Sequence, residues 1–318
     1  MNLRESIERL HTATIADGRS PRTARDYSQK LGMLAAYLGP DRAVASIEGE
    51  DLRRFVADLR QRSTRYESHQ YRAAVAGPLS PATVAGVVRA VKRLFAFLVE
   101  DGILTDNPAR VLRTPRLPKG RTPKAVSLDD FLALVRAAAG DDLASKRDRA
   151  LLLFLADTGC RVGGLVGLRL ADLDLANLRA WVIEKGDRRR AVYLTPETAE
   201  ALAAWLLVRP GGNGGAVFVA LEGDNHVLTA EGVTQALRRL KRRAGIDGPV
   251  NPHAFRHAFA REYLRAGGDL ATLSDLLGHS DITVTANSYA VFLPSELQER
   301  HRKFSPVAQL RRNGDLAQ

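Results

Sequence analysis

Apolar positions recur at helical spacing along most of this chain. From Ser20-Pro21 onward, Tyr27, Leu31, Leu34 and Leu38 share one face, and Gly39-Pro40 closes the run. The start is chemically marked: a serine oxygen can accept an orphan N–H of the first turn, and proline at the first helical position lacks the N–H that would go unpaired. A second helix is predicted from Ile47 to Leu59. Ser80-Pro81 repeats the same opening before Val84, Val87, Val91, Leu94 and Leu98, while the polar stretch 61–78 between them, with Arg62, Arg65 and Arg72, reads as a loop. Asn107-Pro108 ends this first helical unit.

The periodicity disappears over 113–125, RTPRLPKGRTPKA, where three prolines, one glycine and five basic residues predict a semi-extended basic linker. It resumes at Ser127-Leu128-Asp129-Asp130, a helix-capping pattern. A helix with an apolar centre follows over Arg149–Asp157 and stops at Thr158-Gly159. The period then changes to two: AWVIEK and RRAVYL flank a polar GDR turn and predict a β-hairpin. After Thr195 the pattern is again helical, interrupted by GGNGG at 211–215. The expected fold is mostly α with a small antiparallel β-sheet in the C-terminal domain, in a chain whose 318 residues suit two domains.

Charge then narrows the class. Lys plus Arg outnumber Asp plus Glu by 47 to 36, a net +11, which points to a polyanionic partner, first of all nucleic acid. The excess is uneven: through residue 125 there are 22 basic and 13 acidic residues, and beyond it 25 and 23. Any anion site in the C-terminal part must therefore use a few placed residues rather than a general field. Cys160 is the only cysteine, so an intramolecular disulfide and a cysteine metal cage are excluded. The N-terminus MNLRESIERL has no apolar signal region, and no apolar run approaches membrane-spanning length, so a cytoplasmic location without membrane contact is expected.

Four stretches carry residue types suited to phosphate chemistry. Thr158-Gly159-Cys160-Arg161 places an arginine at the corner after a helix end. Glu184-Lys185-Gly186-Asp187 places a lysine on the hairpin turn. Asn251-Pro252-His253-Ala254-Phe255-Arg256-His257 opens a helix with His253 and Arg256 one turn apart on one face. Leu277-Gly278-His279-Ser280 is followed ten positions after His279 by Tyr289. A zinc site at the histidines lacks a third ligand at suitable spacing. Singly, each stretch reads equally well as ordinary surface or packing: a C-cap arginine, a solvated turn lysine, core histidines, a core tyrosine.

Taken in order and spacing, these stretches resemble the tyrosine recombinase or phage integrase family. The resemblance is specific over 126–304 and looser over 1–112, and the stretch RHRKFSPV looks like the tail that such enzymes dock onto a neighbouring subunit. It implies a two-domain DNA clamp: a helical core-binding domain at 1–112, the linker 113–125, a catalytic domain at 126–304 and a tail at 305–318. It also implies Tyr289 as nucleophile, Arg161 and Arg256 as the phosphate-binding pair, Lys185 as the hairpin lysine, His253 and His279 as the active-site histidines, and His257 as a supporting residue. The implied activity is site-specific strand cleavage and rejoining through a 3′-phosphotyrosyl intermediate, without cofactor or metal. The partners would be double-stranded DNA, further copies of the chain in a tetramer on that DNA, and accessory proteins. A type IB topoisomerase-like enzyme and a non-catalytic DNA-binding accessory protein are the alternatives. One departure stands out: the family often carries an acidic residue three positions after the first arginine, and here that position is Gly164. Asp157 or Asp172 is the expected compensating group; the other consequence would be a slower enzyme.

Overall fold

The computed structural model describes residues 1–65, 75–115, 124–184, 188–211, 215–222, 226–279, 281–289, 298 and 301–303. It divides into two compact units, Met1–Lys119 and Gly120–Gln318.

In the first unit the helices are α1 (Leu3–Ala16), α2 (Pro21–Leu38), α3 (Gly49–Gln61) and α4 (Pro81–Glu100). Both Ser-Pro openings cap as expected: Ser20 Oγ accepts from the Thr23 N–H at 3.2 Å and Ser80 Oγ from the Thr83 N–H at 3.1 Å. Helix α4 is apolar on nearly all sides, with Val87, Val88, Val91, Leu94, Phe95 and Leu98 fully buried, so it forms the centre against which the others pack. Helices α1, α2 and α3 each contribute one buried stripe, among them Leu10, Leu31, Leu34, Leu52, Phe55 and Leu59. The stretch predicted as a loop after α3 contains a short antiparallel ladder, β1 (Thr64–Arg65) with β2 (Val75–Ala76); two-residue strands are too short for periodicity to mark.

The second unit opens with α5 (Leu128–Ala137), capped by Ser127, and α6 (Leu143–Thr158). Helix α6 begins earlier than its apolar centre suggests because Asp142 accepts the N–H groups of Ala144 and Ser145, both at 3.0 Å. Its polar first turns stay helical because buried Arg147 and Asp148 satisfy each other, with Arg239 adding a second contact to Asp148 at 2.9 Å. Then come α7 (Val162–Val166), β3 (Leu173–Asp174), β4 (Arg179–Glu184) and β5 (Arg188–Tyr193). The hairpin forms as predicted, in register Arg179↔Tyr193 to Glu184↔Arg188. Strand β3, too short to read from the sequence, adds to the outer edge of β4.

Helices α8 (Pro196–Leu206), α9 (Ala230–Arg243), α10 (Pro252–Arg265), α11 (Leu270–Leu277) and α12 (Ile282–Tyr289) complete the described unit. The expectation of helix throughout the region after Thr195 needs correction. Buried Ala216–Val219 is not helical: Ala216 bridges to Arg169 and Val219 to Val227, the chain bends between them, and the Trp205 indole donates to the Val217 carbonyl at 2.8 Å. An apolar run this short fits a buried strand as well as a helix, and pairing decided it. Leu151, Phe154 and Leu155 of α6, Leu202 and Trp205 of α8, and Phe255 of α10 share one core.

Gly159 ends α6 at φ 55, and a Cβ there would lie 2.7 Å from Phe259 Cδ1. Left-handed backbone and overpacking act together, so Gly159→Ala is expected to lower stability by about 2–4 kcal/mol, measured by denaturant titration.

Candidate phosphate-binding and nucleophile site

The described residues of the four stretches meet where α6 ends, α10 begins and α11 ends. The left-handed turn at Gly159 reverses the chain so that Arg161 becomes the N-cap residue of α7. Its backbone N–H donates to Glu184 Oε1 at 2.9 Å, and its guanidinium donates to Glu184 Oε2. About a third of the Arg161 side chain stays exposed. It faces a cleft of about 400 Å³ that is also lined by Gly164, Ile183, Pro252, His253 and Arg256.

Asn251 caps α10 by accepting the Ala254 N–H at 3.0 Å, and Pro252 fills the first turn. That start sets the faces. His253 is exposed and lines the cleft, whereas Arg256, one turn on, is buried. Arg256 donates to the carbonyls of Gly159 at 2.9 Å and Leu277 at 2.8 Å, the two residues at the C-terminal ends of α6 and α11. Carbonyls left over at helix ends thus find a fixed cationic fork. Burial and the nearby Arg161 charge pull Arg256 down to about 10, which leaves it a cation at neutral pH.

Arg256 also lies 2.8 Å from His279 Nε2. A guanidinium only donates, so Nε2 accepts, and the ring proton sits on Nδ1, 2.6 Å from Thr285 Oγ1. Burial, and then the Arg256 charge, lower His279 to about 4. The sign follows directly. Between the roughly 6.5 of a free histidine and this value, the unfolded chain binds a proton that the folded chain excludes, so stability falls as pH drops through that window. Melting curves at pH 7 and pH 5 should therefore show a smaller acid loss for His279→Gln than for the parent.

Tyr289 ends α12 with its hydroxyl 2.8 Å from His257 Nδ1 and the two rings 5.5 Å apart. Burial raises the Tyr289 hydroxyl, with Arg256 opposing, and it lowers His257, helped by His253 and Arg256. A neutral imidazole thus faces a protonated phenol. Arg161, Arg256, His253, His279 and Tyr289 are gathered into one region; Lys185 lies outside the described residues. His253 touches the site through the cleft and by stacking on His257 at 6.4 Å, while the contact to Tyr289 is made by His257.

Sequence reasoning missed Glu184 and Arg190. Strand alternation puts Glu184 in phase with buried Ala180 and Val182, so the hairpin's last described residue before the turn points inward. Arg190 of β5 donates to Glu184 Oε1 at 3.2 Å and to the Leu276 carbonyl at 2.5 Å. Burial acts to raise the Glu184 carboxyl, but the Arg161 N–H and the charges of Arg190, Arg161 and Arg256 outweigh it and hold the group below the usual range. Neither expected compensator for Gly164 takes part in this cluster. Asp157 accepts from the Thr195 N–H at 2.6 Å, and Asp172 pairs with Arg189 at 3.0 Å.

Comparison with known proteins joins this geometry to a family. The family model described as the Phage integrase family matches residues 125–294. The chain belongs to that family. It is accordingly a tyrosine recombinase, an enzyme of site-specific DNA strand transfer. Tyrosine recombinase XerD of Listeria monocytogenes serovar 1/2a is 29% identical over 308 residues, covering 94% of this chain and 97% of that protein. Tyrosine recombinase XerD of Mycobacterium tuberculosis is 31% identical over 289 residues, covering 87% and 89%. Among solved structures, the Tn1549 transposon integrase in complex with a circular intermediate DNA matches in fold. Its TM-score is 0.71 at 18% identity, over 96% of this chain and 100% of that one.

Proposed function

We propose that this tyrosine recombinase cleaves and rejoins DNA by attack of the Tyr289 hydroxyl on a backbone phosphate, giving a 3′-phosphotyrosyl link and a free 5′-hydroxyl. The observation that carries the reading is the Tyr289 contact to His257, the residue next to Arg256 in α10. It supports a nucleophile held beside a guanidinium pair. The phosphate oxygens gain negative charge during attack, and Arg161 and Arg256 meet that charge with donors that stay protonated. The phenol proton passes to a neighbouring base, for which neutral His257 is placed. His253 lines the cleft where a phosphate oxygen would lie, and His279 holds Arg256 from behind. Lys185 gives a proton to the leaving 5′-oxygen. The phosphotyrosyl link keeps the energy of the broken bond, so a different 5′-hydroxyl can reverse the step and complete an exchange.

The partner is duplex DNA. Residues 1–112 act as the core-binding domain and 126–304 as the catalytic domain, joined by the basic stretch 113–125 and followed by a tail at 305–318. Exposed Gln235, Arg238 and Arg242 share one face of α9 and supply contacts to DNA, as do Arg53, Arg60 and Arg113 around a cleft in the first unit. Exchange between two duplexes needs four such sites, which a tetramer on DNA provides, with room for accessory proteins. The protein works in the cytoplasm. Among the described residues no helix is long and apolar enough to cross a membrane.

Incubation with nicked duplexes from the chain's own genomic neighbourhood, in EDTA, tests the reading. A denaturant-stable protein–DNA adduct is expected. Tight site-specific binding that never yields one would favour the accessory-protein reading.

A further inference from the structure

We infer that Glu184, brought in by the β-hairpin, is the carboxylate that positions Arg161 and Arg256 in this chain, in the place left open by Gly164. The inference rests on the phosphate-binding reading of the two arginines.

A glutamate on the buried face of a strand is costly unless it is paired. Glu184 stands where alternation calls for an apolar residue, its side chain only 4% exposed, and it is surrounded by three guanidinium groups. Its two oxygens divide the work. Oε1 accepts the Arg161 backbone N–H at 2.9 Å and Oε2 takes the Arg161 guanidinium. The corner of the chain and the fork of its side chain are therefore tied to one group. Oε1 also lies 3.2 Å from Arg190 and 3.8 Å from Arg256. One negative charge among three positive ones reduces the repulsion that would splay the arginines, and the surplus remains positive for a phosphate.

Gly164 explains why the group comes from this side. A Cβ built there lies 3.5 Å from Glu184 Cγ and 3.2 Å from Val182 Cβ. A long side chain at 164 would enter the volume that Glu184 fills, so the two positions are alternative routes for placing one carboxylate. Asp157 and Asp172 are engaged elsewhere, with Thr195 and Arg189. Glu184 is a positioning residue: it acts on the phosphate through the arginines.

The test measures single-turnover adduct formation by the full chain, in excess over nicked duplexes from its genomic neighbourhood. The cleaved position carries either a phosphodiester or a neutral methylphosphonate. Glu184→Gln keeps the shape and one acceptor for the Arg161 N–H but removes the charge. Its rate on the phosphodiester is expected to fall about 10–100-fold with the duplex still bound; its melting temperature falls too, because Arg190 and Arg256 lose their buried counter-charge, so rates are compared well below it. The loss should shrink on the methylphosphonate, where there is less charge for the arginines to meet. Adding Gly164→Glu and Val182→Ala to Glu184→Gly should recover about tenfold in rate over Glu184→Gly alone, as expected for coupled sites. An equal loss on both substrates, a parent-like rate for Glu184→Gln, or no recovery in a folded triple variant would overturn the inference while leaving Tyr289 chemistry intact. A parent chain that forms no Tyr289-dependent adduct would overturn the nucleophile assignment, and the inference with it.

Discussion

Arg256→Ala is expected to remove both the chemistry and a good part of the stability of the second unit. The chemical loss follows from charge: one fixed donor to the developing oxyanion is worth on the order of 10²–10³ in rate. The structural loss follows from burial. Arg256 is 4% exposed and holds the Gly159 and Leu277 carbonyls, and alanine leaves both without that donor. It also withdraws a cation from beside Glu184. Loss of one partner from such a buried network typically costs about 3–5 kcal/mol. Arg256→Lys restores the charge as a single point and cannot reproduce a fork spanning two helix ends. It should recover part of the stability and little of the rate. Denaturant titration and adduct formation on the same two variants separate these effects. A fully stable Arg256→Ala would mean that the carbonyl contacts contribute nothing to holding α6 and α11 together.

Tyr289→Phe is expected to show the opposite profile: no covalent adduct, with a rate loss of about 10⁴-fold or more, in a chain that still folds and binds DNA. Phenylalanine keeps the ring, which packs against the small cluster of Ala260, Leu264, Leu273 and Leu277. The hydroxyl's contacts to His257 and Arg256 are lost, a hydrogen bond of this kind being worth about 0.5–1.5 kcal/mol. Denaturing gels for the adduct, mobility shifts for binding and thermal melts for stability check the three parts. An adduct of undiminished yield would transfer the nucleophile role to another residue and remove the mechanism proposed above.

The two variants differ because the site is built from two kinds of residue. Arg256, His279 and Glu184 belong to the structural frame, fastening helix ends and a strand to one another. Tyr289 is carried at the end of α12. The frame is held by contacts that exist without DNA; in the mechanism proposed above, such preorganisation would let its charges act on a transition state without first being rearranged.

The sequence by itself determined the helices with marked ends. Ser20-Pro21, Ser80-Pro81, Ser127 and Asn251-Pro252 all start helices where the chain says so, because a capping oxygen, joined in three of the four by a proline without an N–H, acts within one turn. It determined the hairpin through period-two alternation, and it carried the order of Arg161, Arg256, His279 and Tyr289, from which the family resemblance was legible. The short ladder at β1 and β2 and strand β3 were not legible, since two residues are too few for alternation to show, nor was the bridged run Ala216–Val219, which is set by partners outside it, Arg169 among them. The same reason hid the carboxylate of the site. Local spacing from Arg161 leads to Gly164, and proximity in sequence suggested Asp157 or Asp172. Tertiary structure instead chose Glu184, 23 positions beyond Arg161, because strand pairing sets which face of β4 turns inward and so which charge the arginines meet.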